Sequence, residues 1–373
     1  MDTPLSLHIQ QQIRAHGPIP FADFMQAALY TPQWGYYSGD RAKIGRDADF
    51  ITAPEISPLF GACIAEQIQE YSQHYGPVSI IEYGPGNGTL AKTITHHLPH
   101  ECLAHYYLLD ISPNLQAKQQ ALIDTLPSSI ASKMSTIDTI PEHFSGVIIA
   151  NEVLDAMPVH RFTVGQPLYE QYVDWQGGQF TPIDMISNNP ILTEQVARIK
   201  TPMALGYQSE INLQAAPWIK AVTERMEQGL ILLIDYGYNE TTYYHPERHG
   251  GTLCCFQAHT SSPNPFVSVG ECDITAHVDF THVVSQAITA GLNPVGYVEQ
   301  SHFLMNLGII EKAQAQYATH PIETASAMKL LLMPHEMGSL CKVLGLGKNL
   351  SHQNWQGFTD YNAVDALLYR ETL

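Results

Sequence analysis

Positive charge is scarce in this chain. Among 373 residues, Lys and Arg number 18 against 36 Asp and Glu, a formal charge of −18. Such a balance repels a phosphate backbone and an anionic bilayer, so no nucleic acid partner and no membrane insertion are expected, and a cationic partner fits better. Long apolar runs are missing too. The stretch Leu230-Ile-Leu-Leu-Ile234 stops at Asp235, far short of the roughly 20 residues a membrane helix needs. The opening MDTPLSLHIQQQIRAHG has neither the apolar stretch of a secretory signal nor the Arg-rich, acid-poor character of a transit peptide, so the mature protein is expected to begin there.

Cysteine is sparse and unpatterned. The six cysteines form no CxxC pair, and Cys254 and Cys255 are adjacent, which suggests neither a disulfide framework nor a zinc site. A reducing cytoplasmic location is expected. The 18 histidines include no HExxH, and the adjacent His96 and His97 cannot share a helix face, so no metal is expected. What the chain does have is apolar mass: hydrophobic residues make up 45% and charged ones 14%, enough to bury a core.

Its organisation changes along the chain. Residues 1–75 carry helical patterns, Leu5 to Ala15 and Ile56 to Tyr75, around a turn-rich middle, and are read as an N-terminal helical cap. From Val78, short β-rich runs alternate with helical stretches: Val78–Tyr83, Thr89–His97, Tyr106–Asp110, Pro113–Leu126, Gly146–Asn151 and Leu230–Tyr236. This alternation predicts an α/β fold, a parallel sheet covered by helices on both faces. The first part of this core is placed at 76–162 and the second at 229–373. Between them, 163–228 reads as an inserted subdomain whose hairpin, Leu168–Trp175 and Gln179–Asp184, turns at Gly177-Gly178. A helix near Phe280–Ala290, a strand near Pro294–Glu299, a long helix near Gly308–Leu332 and an antiparallel strand near Ser339–Leu344 would bring the sheet to seven strands.

At IIEYGPGNGTL (80–90) the first core strand bends through three glycines into a helix. No Lys follows the glycines, so this is not a P-loop. Gly84, Gly86 and Gly88 run GxGxG, and Thr89 stands where a dinucleotide site would want its third glycine. Glu82 places negative charge where a pyrophosphate would lie, whereas a ligand with an ammonium and a sulfonium would be attracted. Asp110, ending the second strand, can accept from both ribose hydroxyls, and Asp138, closing a third strand, can accept from an adenine amino group or lie in a surface turn. The pattern therefore points to S-adenosylmethionine.

Six separated segments, IGRDADFITAPEISPLFG (44–61), IEYGPGNGTL (81–90), NEVLDAMPVHRF (151–162), LLIDYGY (232–238), HPERHGGTLCCFQAHT (245–260) and GECDITAHVDFT (270–281), carry a wider likeness. The chain resembles the family of S-adenosylmethionine-dependent methyltransferases that includes mitochondrial complex I assembly factor 7, a protein arginine methyltransferase, and its bacterial MidA-like relatives. The resemblance implies a seven-stranded Rossmann-like class I core with a helical cap and an inserted α+β subdomain. It implies that Gly84, Gly86 and Gly88 line the methyl donor, that the segment around Thr52, Pro54 and Glu55 folds over it, and that the acceptor is a protein arginine. Cys254-Cys255 stand where relatives commonly carry a basic residue.

A guanidinium acceptor needs carboxylates to orient its planar fork. NEVLDAMP leaves a strand at the carboxyl edge of the sheet, where open α/β folds bind ligands. If helical, it puts Glu152 and Asp155 on one face, with Asn151 beside them. Glu152 is the first choice for the guanidinium. Asp235 would complete an acidic rim or cap a loop; His277 and Asp279 would form an acid–base element or flank a helix N-terminus near Thr281. Tyr30, Tyr36 and Tyr37 would wall the cofactor or pack the cap. The rival readings are an S-adenosylmethionine-binding assembly or interaction factor with little turnover, a small-molecule methyltransferase, and a NAD-dependent oxidoreductase.

Overall fold

The computed structural model describes residues 3–39, 52–257 and 260–368. Positions 44–51 of the first quoted segment, and Ala258 and His259 of the fifth, lie outside the described residues.

One central sheet organises the chain. Its main strands are β1 (Val78–Tyr83), β2 (Leu103–Leu109), β3 (Met134–Ile137), β4 (Phe144–Asn151), β5 (Met226–Tyr238), β6 (Asn293–Glu299) and β7 (Cys341–Lys348). They lie in the order β3-β2-β1-β4-β5-β7-β6. The first five run parallel to one another, and β7 inserts antiparallel to both β5 and β6. The sheet has eight strands rather than the expected seven, because Val278–Asp279 pairs alongside Gly237 and Tyr238 at the end of β5.

The apolar runs have a simple cause. On β5, Leu230, Leu232 and Ile234 face one core while Ile231 and Leu233 face the other. A strand covered on both sides loses the polar alternation of a half-solvated one. Each such side chain contributes roughly 1.5–3 kcal/mol through burial. Helices Pro58–Tyr75 and Thr89–His97 cover the first face; Ala215–Arg225 and Phe280–Thr289 cover the second.

This packing moves two sequence boundaries. Helix Pro58–Tyr75 belongs to the core, where Phe60, Ile64 and Ile68 are fully buried against the sheet. The inserted segment enters its own sheet already at His160–Thr163 and leaves it at Gln208–Ile211. Helix Ala215–Arg225, placed in the insertion by the sequence, buries Ile219 and Val222 on the core. An amphipathic helix carries the same pattern whichever body it covers, which is why the sequence misplaced both. The expected long helix breaks into Ile309–Tyr317 and Pro321–Leu332, since Pro321 has no N–H to continue it.

The hairpin forms as read, with Tyr169–Gln176 paired to Gln179–Ile186 and both Gly177 and Gly178 at positive φ. That turn matches the twist of the strands it joins. Helices Pro4–His16 and Phe21–Tyr30 pack on this insertion through Phe24, Val173 and Phe180, together with a three-stranded sheet containing Cys254–Gln257 and Asp273–Thr275. N-terminal segment, insertion and small sheet thus make one lobe over the carboxyl edge of β1, β4 and β5. At the far edge, Glu70 accepts from the Gln356 backbone N–H at 3.0 Å and lies 3.3 Å from His352, tying down the C-terminal segment.

Replacing Leu232 by Ala is expected to lower stability by about 2–5 kcal/mol through cavity formation. Urea unfolding checks this, and a loss under about 1 kcal/mol would contradict the two-sided burial of β5.

Candidate active site

Beyond Tyr83 the chain must bend sharply to enter its helix. Gly84 and Gly86 have φ of +59° and +55°, a region costly to residues with a Cβ. Both line a cavity of about 700 Å³, within the range of small-molecule sites. Gly88 serves the helix instead. It caps Thr89–His97 in the left-handed region, and a Cβ there would meet Leu122 at 2.6 Å. It does not line the cavity.

Two acids flank the bend. Glu82 is buried and accepts from the Tyr106 hydroxyl at 2.6 Å; burial pushes its carboxyl up to about 7. Asp110 accepts from the Ser112 backbone at 2.8 Å and from Gln119 at 2.9 Å, and burial raises its pKa. Gln119 also donates to the Gly86 carbonyl at 2.8 Å, fastening the glycine bend to Asp110. A lone glutamine inside a helix gave no signal for this. Asp138 sits in an exposed turn after β3 and is not brought to the cavity, so the adenine contact expected of it is corrected. Thr52, Pro54 and Glu55 do line the cavity.

The segment NEVLDAMP is a turn, not the expected helix. The cause is Asp235, fully buried in β5, whose Oδ2 accepts from the backbone N–H of Val153, Leu154 and Asp155 at 3.2, 2.9 and 3.3 Å. These donors are thereby diverted from a helix ladder. Asp235 therefore organises the loop instead of joining an acidic rim, and it does not line the cavity. Glu152 is held at φ +52°, a conformation that a non-glycine residue adopts only when its surroundings fix it. Its carboxylate accepts from Asn151 at 3.2 Å and from the Ala53 N–H at 3.4 Å.

Glu152, Asp155 and Asn151 all line the cavity. Burial, and then the neighbouring Asp155, push the Glu152 carboxyl up to about 8. Asp155 rises well above the usual range through burial, Asp235 and Asp273. Asp273 lines the same cavity and accepts from the Tyr37 hydroxyl at 2.9 and 3.0 Å. It lies within the quoted segment 270–281, where the sequence points to two other residues.

One of those two holds its place. The His277 ring lies 6.2 Å from Tyr236 and nearly parallel to it, lining the cavity; burial, then Arg248 and Lys342, lower its pKa to about 4. Asp279 does not pair with it. It caps helix Phe280–Thr289, accepting from Thr281 and His282 backbone N–H groups at 3.0 and 3.1 Å, and stays outside the cavity. Tyr30, Tyr36 and Tyr37 both pack the lobe and line the cavity.

No Lys or Arg lines this cavity among the described residues. Four of the residues that line it, Ser112, Asn151, Trp218 and His277, each carry a buried side-chain polar atom with no hydrogen-bond partner within the protein. An acidic space with positive-φ glycines against it fits a sulfonium-bearing nucleoside better than a pyrophosphate.

Comparison with known proteins agrees. Residues 59–298 match a family model described as "Putative S-adenosyl-L-methionine-dependent methyltransferase". The chain is 28% identical to the Drosophila melanogaster protein arginine methyltransferase NDUFAF7 homolog, mitochondrial, over 92% of this chain and 84% of that one. It is 26% identical to human protein arginine methyltransferase NDUFAF7, mitochondrial, over 95% and 85%. A Burkholderia thailandensis protein crystallised with S-adenosyl-homocysteine bound superposes with a TM-score of 0.88 at 32% identity, covering 95% of this chain and 94% of that one.

Gly86→Val is expected to weaken binding of S-adenosyl-homocysteine at least about tenfold, because a β-branched residue resists positive φ; isothermal titration calorimetry reads this, and unchanged affinity would remove the bend from the donor site. The buried acids make a second prediction. Glu82, Glu152, Asp235 and Asp279 have folded values of about 7, 8, 7 and 7, above their ordinary 4.5 or 3.8. The folded state then holds more protons, so stability falls as pH rises through these values. His277 and His282, lowered from 6.5 to about 4, act oppositely but only below their ordinary value. The ligand-free Tm should therefore fall between about pH 6.5 and 8.5, less steeply in Glu152→Gln; a rising Tm would overturn the burial of these carboxyls.

Proposed function

This chain belongs to the family of S-adenosyl-L-methionine-dependent methyltransferases, and we propose that its acceptor is an arginine side chain of a protein. The observation that carries the acceptor reading is the pairing of Glu152 and Asp155 on one rigid turn, in a cavity that no Lys or Arg lines among the described residues. A planar guanidinium presents five donors in a fork that carboxylates complement, and the names of the curated relatives point the same way. We read the order β3-β2-β1-β4-β5-β7-β6 as a class I core carrying the lobe as cap and insertion. The free cysteines suit a reducing compartment, and we propose the cytoplasm.

When bound, S-adenosyl-L-methionine supplies a methyl carbon activated by its sulfonium and leaves as the thioether S-adenosyl-homocysteine. Asp110 takes the ribose hydroxyls and the Gly84–Gly86 backbone gives close approach. Glu152 and Asp155 orient the guanidinium, concentrate its electron density on the attacking nitrogen, and provide an ionised carboxylate for the proton that nitrogen sheds. The lobe over the sheet edge keeps water out.

Both acids must be ionised to act. A carboxyl at about 8 in the free protein loses its proton more readily once a guanidinium is beside it. The acceptor KM is therefore expected to fall as pH rises from about 6.5 to 8.5. Glu152→Gln should lower kcat/KM by about 100-fold with little change in S-adenosyl-homocysteine affinity. Transfer of labelled methyl to peptide mixtures, with mass spectrometry locating it on arginine, is the test. Methylation of another residue type would refute the acceptor, and partner binding with no transfer in either form would favour an assembly factor.

A further inference from the structure

The cavity holds a carboxylate that the loop after β4 does not supply. Asp273 begins strand Asp273–Thr275 of the small sheet and is 7% exposed. Its strand is locked to the core by the Ala276 N–H, which donates to the Asp155 carbonyl at 3.0 Å. The Tyr30 hydroxyl donates to the next carbonyl, Ala156, at 2.9 Å. Asp273 is close enough to raise the pKa of both Glu152 and Asp155. Three acids from two separate bodies thus share one space lined by no Lys or Arg among the described residues. His277 and Asn151, whose Nδ1 and Oδ1 are buried with no partner within the protein, line the same cavity.

Resting on the arginine reading above, we propose that Asp273 is a substrate-binding carboxylate that selects guanidinium over ammonium, with Tyr37 as its positioning residue. A guanidinium has N–H groups on more than one edge, so it can bridge the loop of Glu152 and Asp155 to Asp273 on the facing sheet. An ammonium is a compact point charge satisfied by either side alone. Tyr37 makes the arrangement specific. Its hydroxyl reaches both oxygens of Asp273, and burial followed by the Asp273 charge keeps the phenol protonated and donating. Its ring stacks on Tyr30 at 5.6 Å, so the donor is held by the lobe's own packing. The acceptor side chain is therefore gripped across the junction of the two bodies.

The test uses the full chain saturated with S-adenosyl-homocysteine, titrated calorimetrically with ethylguanidinium and with propylammonium. Hydrogen bonds to charged groups are worth about 1.5–3 kcal/mol, so the wild type should prefer ethylguanidinium by about tenfold or more. Asp273→Asn should abolish that preference by weakening ethylguanidinium more than propylammonium, while S-adenosyl-homocysteine affinity changes by less than about threefold. Tyr37→Phe keeps the carboxylate and the ring, and should reduce the preference by about three- to tenfold; it decides the matter if Asp273→Asn fails to fold. A wild type with no preference overturns the arginine reading, and this inference with it. A wild-type preference retained in Asp273→Asn, or in Tyr37→Phe where the first variant is unfolded, overturns the role of Asp273 and leaves the arginine reading standing.

Discussion

The site depends on one carboxylate that does not line its cavity. Asp235 follows the apolar run of β5 and gathers three backbone N–H groups from the loop after the neighbouring strand. Its other oxygen accepts from the Tyr236 N–H at 2.8 Å, so both ends of the carboxylate are engaged by backbone. This is how Glu152 is kept in the left-handed region, with its own N–H donated to the Ile234 carbonyl at 2.8 Å. An isolated loop would relax to an ordinary conformation and turn Glu152 away. The chemistry-bearing acids are thus placed by an acid from another strand, and rigidity of the core sheet is transmitted to the site through three hydrogen bonds.

The same arrangement is unfavourable to folding on its own. Asp155 and Asp273 raise the pKa of Glu152, Asp235 and Asp273 raise that of Asp155, and Glu152 raises that of Asp235, in a space that burial already makes hostile to charge. In the free protein part of this group is protonated near neutral pH, which relieves the repulsion. A cationic ligand offers the alternative of ionising the acids and neutralising them together. Binding is therefore linked to proton release, and the repulsion among the acids favours positively charged ligands over neutral analogues of the same shape. The chain's overall excess of acids, by contrast, is mostly a surface property and contributes to steering more than to this selectivity.

Much of this was legible in the residues, for identifiable reasons. The parallel core was readable because strands buried on both faces, such as Leu230–Ile234, leave continuous apolar runs. The glycine bend was readable because Gly84 and Gly86 serve a backbone conformation that few other residues tolerate. Helix ownership was not, since Pro58–Tyr75 and Ala215–Arg225 have one apolar stripe each and nothing in the stripe names its partner. Nor was the division of labour among acids. Asp235, Asp279 and Asp273 are each an aspartate within a strand segment; one organises a loop, one caps a helix, and one lines the cavity. Only the direction of neighbouring backbone N–H groups tells them apart, and that is a tertiary property.

A cavity lined from two bodies follows from the same geometry. The core contributes the glycine bend, Asp110 and the Glu152 loop, whereas the lobe contributes Tyr30, Tyr37, Asp273 and His277. Two of the contacts between them fall on the backbone of residues 155 and 156, through the Ala276 N–H and the Tyr30 hydroxyl. The loop that carries the acids is therefore clamped from below by Asp235 and from above by the lobe. Either clamp alone would leave the loop a degree of freedom, and a displacement of about 1 Å at a reacting centre is enough to lose orders of magnitude in rate. The N-terminal segment and insertion are thus part of the cavity's geometry, because they complete the fixation of a loop that the core sheet holds on one side only.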